Sequence, residues 1–169
     1  MLRVVLAIVF ARTLADGCWH PLIAFTLAAA SDYVDGPIAR RAGGPTRYGA
    51  LLDSMADIVF VLVASTAGAV TGRLSWAAPA AIVCAAVPYL VTMIWQRRPD
   101  AGAAPAYSAI GHAAGVSNYA LVGLLAGSVA RPWPHWPFLL DAATAVVVAL
   151  NLAAVALRFR RQPNRSVSS

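Results

Sequence analysis

Apolar runs broken by charged, proline and glycine clusters recur six times along the chain. They lie at Val4 to Leu14, Pro21 to Ser31, Tyr48 to Val70, Ala77 to Trp95, Ala109 to Val129 and Phe138 to Leu157. Runs of this polarity with short connections predict membrane-spanning helices. At roughly 20 residues per span, six spans use about 120 residues and leave roughly 50 for connections. The expected fold is therefore an all-α integral membrane protein, a six-transmembrane-helix bundle forming one domain over residues 1–169. The first run is short for a bilayer, so either more chain precedes it or its helix lies partly in the interface. Arg12 interrupts the apolar core that a signal peptide needs, which favours a helix over a removable leader.

Composition supports this class: 60% of residues are apolar and only 12% are charged, with a mean hydropathy of +0.68. That is about half the charged share of a soluble domain. All 13 basic residues are Arg and all 7 acidic ones are Asp. The excess of positive charge would suggest nucleic acid for a soluble protein. Here the arginines cluster at span ends, where they set topology or meet anionic headgroups, so no nucleic-acid partner is expected. With the N-terminus inside, Arg3, Arg40, Arg41, Arg47, Arg97, Arg98, Arg158, Arg160, Arg161 and Arg165 face the cytoplasm, against Arg12, Arg73 and Arg131 outside. This bias predicts a multi-pass plasma or inner membrane protein with both termini cytoplasmic. Trp19, Trp76, Trp95, Trp133 and Trp136 all fall at span ends, where an indole prefers the interface.

Several features are structural. Cys18 and Cys84 lie in different segments and predict neither a disulfide nor a metal pair. Gly111, Gly115, Gly123 and Gly127 in the fifth span, and Gly68 with Gly72 in the third, are spaced for close backbone approach. Asp141 is read as an anion opening the sixth helix.

The candidate chemistry is concentrated elsewhere. Asp32, Asp35, Asp53 and Asp57 fall within 26 positions, in or beside two apolar runs. A carboxylate near hydrocarbon costs at least about 2 kcal/mol, so it normally faces a polar cavity and is paired with cations or metal. On helices, the i, i+3 and i, i+4 spacings put each pair on one face. Two facing pairs make an oxygen-only cage that suits two Mg²⁺ or Mn²⁺ ions, whose remaining partners are usually substrate phosphates. Gly36 and Gly49 remove side chains where a ligand approaches, while Arg40, Thr46 and Arg47 offer donors to phosphate oxygens.

The segment reads D-x2-D-G-x2-A-R-x8-G-x3-D-x3-D, filled by Asp32, Asp35, Gly36, Ala39, Arg40, Gly49, Asp53 and Asp57. It resembles the signature of the CDP-alcohol phosphotransferase family at every position. The resemblance implies a membrane enzyme that moves a phosphatidyl group from CDP-diacylglycerol to a small hydroxylated acceptor and releases CMP. It implies that Asp32, Asp35, Asp53 and Asp57 hold two Mg²⁺ or Mn²⁺ and that Asp57 also accepts the proton. Gly36, Ala39, Arg40, Thr46 and Gly49 would serve the CDP moiety, and a homodimer would be common. The loop Thr46 to Asp53 and Arg3 are similar to the phosphatidylglycerophosphate synthase branch, which makes glycerol 3-phosphate the expected acceptor. The chain departs from that branch at Ile58, at Gly111-His112 and at Trp95 to Pro99; His112 and the Arg97-Arg98 pair remain candidates for an acceptor phosphate. Phosphatidylinositol-phosphate synthase is the alternative within the family. A divalent-cation transporter is the alternative outside it, although Gly36, Arg40 and Gly49 would then have no role.

Overall fold

The apolar runs become continuous helices in the computed structural model, which describes residues 2–41, 47–95, 109–131 and 133–160, without the side chains of 32–41, 47, 48, 50 and 95. The helices are α1 (Leu2–Thr13), α2 (His20–Arg41), α3 (Arg47–Val70), α4 (Ala77–Trp95), α5 (Ala109–Ala130) and α6 (Trp136–Arg160), with a 3₁₀ turn at Leu14–Asp16. There is no strand among the described residues. Four helices, α3 to α6, are long and apolar enough to cross a membrane by length and composition. α1 has only 12 residues, and the apolar part of α2, His20–Ser31, is shorter than a span.

The local reasons for these boundaries are visible. Thr13 Oγ1 caps the end of α1 by donating to Val9 O at 2.8 Å, and Gly17 takes a left-handed turn at φ 69° before α2 begins. α2 continues past its apolar run through Asp32 to Arg41, because a helical hydrogen-bond ladder does not require apolar side chains. α3 closes with a Schellman motif. Gly72, at φ 70°, donates to Ala69 O at 3.1 Å and Arg73 N to Gly68 O at 2.9 Å.

α1 lies against both α2 and α3, α5 against α2, α3 and α6, and α4 against α3 and α6. The core follows this order: Leu6 and Phe10 of α1 and Leu14 of the 3₁₀ turn meet Ala24 and Ala28 of α2, Phe60 and Ala64 of α3, and Leu121, Val122 and Leu125 of α5. Small residues on α2 and α3 let the short α1 sit deep in the bundle. On the outside, Leu27, Val70, Val87, Phe138 and Phe159 are exposed. Only 22% of the Ala77–Ile94 window is buried. A water-facing surface of this kind would be a liability, whereas one facing lipid tails matches its solvent.

Three sequence expectations need correction. Gly72 lies beyond α3 and ends it, so it does not continue a Gly68 seam. Gly68 itself is used inside the molecule, since a Cβ there would meet Leu125 and Leu74 at 2.8 Å; among the α5 glycines, Gly123 and Gly127 face Phe25 and Trp136, but Gly115 faces open space. Asp141 is not at a helix start: α6 begins at Trp136 with no acid in its first turn. The macrodipole fades within one turn, so it gives Asp141 no role. Cys18 and Cys84 are free, and both are exposed rather than buried as small apolar fillers.

Candidate functional site

Asp53 and Asp57 lie one turn apart on the first half of α3, so both carboxylates leave the helix on one side. α1 supplies their counter-charge. Arg3 is 4% exposed, and its Nη1 donates both to Asp53 Oδ1 at 3.0 Å and to Asp57 Oδ1. The two carboxylates differ in setting, with side chains 63% exposed at Asp53 and 32% at Asp57. Asp57 also accepts a hydrogen bond at 2.8 Å from the Tyr119 hydroxyl on α5. A guanidinium and a phenol thus converge on one carboxylate oxygen at the junction of α1, α3 and α5.

Beside this junction lies a cleft of about 210 Å³ lined by Leu2, Arg3, Ser31, Gly49, Leu52, Asp53 and Ala56. It opens between the start of α1, the middle of α2 and the start of α3. Gly49, one turn before Asp53, is exposed and leaves the cleft wall without a side chain at that point. A larger cleft of about 550 Å³ lies at the other end of α3, among Gly72, Arg73, Ser128, Trp133, Trp136 and Leu140. It contains one cation and no carboxylate, so the smaller cleft is the one with the expected chemistry.

The predicted site residues divide by what is described. Asp53 and Gly49 line the cleft, and Asp57 is joined to it through the cleft-lining Arg3. Asp32, Asp35, Gly36, Ala39 and Arg40 fall on the second half of α2, directly after Ser31 of the cleft, but their side chains are outside the described residues. Thr46, Arg97 and Arg98 lie outside the described residues altogether. No group of three or more His, Cys, Asp or Glu side chains comes together among the described residues. His112 is exposed near the start of α5, two turns before Tyr119.

Two parts of the surroundings were not anticipated. Tyr119 is one; its sequence signal was the polar triplet Ser117-Asn118-Tyr119 in the middle of an apolar span, where polar groups seek partners. Asn118 of that triplet accepts from the buried Asn151 of α6 at 2.8 Å. The other is a chain of contacts behind Asp53: Ser54 Oγ lies 3.3 Å from the Tyr89 hydroxyl, and the Arg158 guanidinium stands 5.2 Å from the Tyr89 ring centroid. Arg158 therefore packs onto α4 through the Tyr89 ring.

Similarity to known proteins agrees with this arrangement. Residues 1–159 match the family profile of CDP-alcohol phosphatidyltransferase. The chain belongs to that family. Relatives of this CDP-alcohol phosphatidyltransferase family member include two proteins named CDP-diacylglycerol--glycerol-3-phosphate 3-phosphatidyltransferase, from Yersinia enterocolitica and Yersinia pestis. Each is 33% identical over 119 residues, covering 68% of this chain and 64% of the relative. A protein of the same name from Salmonella choleraesuis is 45% identical over 49 residues, 27% of each chain. The chain thus matches less than two thirds of the length of the first of these relatives. No solved structure matches.

Proposed function

We propose that the protein transfers a phosphatidyl group from CDP-diacylglycerol to a small hydroxylated acceptor and releases CMP, with glycerol 3-phosphate as the acceptor. The observation that carries this reading is the convergence of Asp53 and Asp57 on Arg3 beside a cleft that also holds Gly49. The family membership and the names of the relatives support it. Phosphatidylinositol-phosphate synthase-like acceptor use is the second reading, because that branch also resembles the Gly43-Gly44 to Gly49 loop and the chain departs from the first branch at Ile58 and His112.

The oxygen chemistry of the described donors supports a divalent-cation site. Two hard carboxylates already project toward one cationic nitrogen, and oxygen donors of this kind suit Mg²⁺ or Mn²⁺. In this reading Asp53 and Asp57 share two ions with Asp32 and Asp35. Bound there, the ions would supply neutralisation of the diphosphate and of departing CMP. The chain's own residues do the rest. Gly36, Ala39 and Gly49 let the nucleotide lie close to backbone, while Arg40 and Thr46 donate to phosphate oxygens. Asp57 takes the proton from the acceptor hydroxyl as its oxygen forms a bond to the phosphatidyl phosphorus. The bond from that phosphorus to CMP breaks, and its electron pair leaves with CMP. Arg3, which lines the cleft, holds Asp57 and fixes its carboxylate before substrate arrives.

The rest of the architecture follows the same reading: one domain over residues 1–169, with α1 and α2 completing six membrane-embedded helices. Both termini and the Asp-bearing end face the cytoplasm, where water-soluble acceptors are found. A homodimer is compatible, but Gly68 does not supply its seam.

The test is CMP release by purified protein with CDP-diacylglycerol, offering glycerol 3-phosphate, inositol phosphate, inositol and serine separately. Release is expected with glycerol 3-phosphate, lost with EDTA, and restored by Mg²⁺ or Mn²⁺. Asp57→Asn is expected to be inactive with folding intact; a fully active Asp57→Asn protein overturns the reading. Metal uptake into vesicles lacking CDP-lipid would favour a transporter instead.

A further inference from the structure

We propose that Tyr119 is a positioning residue for the proton acceptor, its hydroxyl fixing Asp57 Oδ1 so that Oδ2 is the oxygen offered to the acceptor alcohol. The inference rests on the function proposed above and deepens it.

The geometry is specific to Asp57. A free carboxylate exchanges its two oxygens by rotating about one bond, and only one of them can face the reacting hydroxyl. Here Arg3 from α1 and Tyr119 from α5 both donate to Oδ1, and both of those helices pack against α3. Among the described residues Oδ2 accepts no hydrogen bond. Asp53, one turn earlier, shares only the arginine and is largely exposed. Asp57 thus differs from Asp53 both in its burial and in its phenol donor, and the donor marks it for a role that Asp53 does not have.

Tyr119 is well placed to act as a fixed donor. Its ring stacks on Phe60 with centroids 5.9 Å apart and planes at 22°. Phe60 in turn meets Phe10 edge-on at 6.1 Å, and both phenylalanines are completely buried. Phe10 lies on the same helix as Arg3. The aromatic row thus sets α1, α3 and α5 relative to one another, and the two donors to Asp57 stand at its edge. A hydroxyl delivered from a packed stack needs no reorganisation when the proton moves. Packing alone would be satisfied by phenylalanine.

Tyr119→Phe separates the two roles because it keeps the ring and removes the donor. The expected result is a fall in kcat of about 10- to 100-fold, the range for losing a hydrogen bond to a charged group. KM for CDP-diacylglycerol is expected to stay within about twofold, and the thermal midpoint in detergent to be nearly unchanged. Mn²⁺ binding, followed by electron paramagnetic resonance without substrate, is expected to stay within about threefold of the wild type. Phe60→Leu serves as the packing control and is expected to lower the midpoint.

Wild-type kcat in Tyr119→Phe overturns the proposal. So does a loss that excess Mn²⁺ restores, since the hydroxyl would then act through metal affinity. Asp57→Asn in the same series separates the two failures. If it is inactive while Tyr119→Phe is fully active, only this inference falls; if it is as active as the wild type, the proposed function falls with it.

Discussion

Arg3 carries more of the site than any other single side chain described, because one nitrogen serves both Asp53 and Asp57. Removing it leaves two like charges one turn apart with no shared cation. Arg3→Ala is expected to destabilise the protein by about 1–3 kcal/mol, between the values for exposed and buried pairs. It should also lower transfer at least 10-fold; thermal unfolding and CMP release measure the two effects. Arg3→Lys restores the charge without the fork and is expected to recover stability better than rate. The pairing of Asp53 with Asp57 on one face was legible in the sequence because their i, i+4 spacing is local. Tyr119 was not, since its bond to Asp57 spans 62 residues and depends on how α5 packs against α3. Arg3 was legible only through resemblance; nothing in its own neighbourhood announces a partner 50 residues away.

At the level of helices, the glycines give graded expectations. A Cβ on Gly68 or Gly123 would come within 2.8–2.9 Å of a packed side chain. Gly68→Ala and Gly123→Ala are each expected to cost about 1–3 kcal/mol, seen as a lower thermal midpoint in detergent. Gly115→Ala meets nothing within 4 Å and is expected to be neutral or to stabilise by up to about 1 kcal/mol. Gly72→Ala is strained by its positive φ and should cost about 1 kcal/mol although its surroundings are open. The apolar runs located the helices well, and α4 begins and ends where expected. Hydropathy failed where a helix leaves the apolar phase, as α2 does beyond Ser31. Glycine spacing likewise failed where one member of the series ends a helix, since a four-residue interval carries no record of φ.

For the whole molecule, the two cysteines offer a test of orientation without any mutation. Cys18 is exposed in the connection between α1 and α2, and Cys84 is exposed inside α4. With the proposed topology, a membrane-impermeant maleimide applied from outside the inner membrane is expected to label Cys18. Cys84, surrounded by lipid, is expected to stay unlabelled. Labelling of Cys18 only after the membrane is opened would reverse the orientation. The cleft beside Asp53 adds a further consequence, because Leu2 and Leu52 on its rim are 58% and 64% exposed. In the proposed function, a lipid donor sliding in past those two leucines would keep its tails among other tails while only its headgroup changed surroundings. The protein then never has to lift two acyl chains into water, a step that would cost about 0.8 kcal/mol for every methylene moved. The proposed donor would be drawn from a two-dimensional reservoir, so its supply to the aspartates would be set by its fraction among membrane lipids rather than by its concentration in the cell's water.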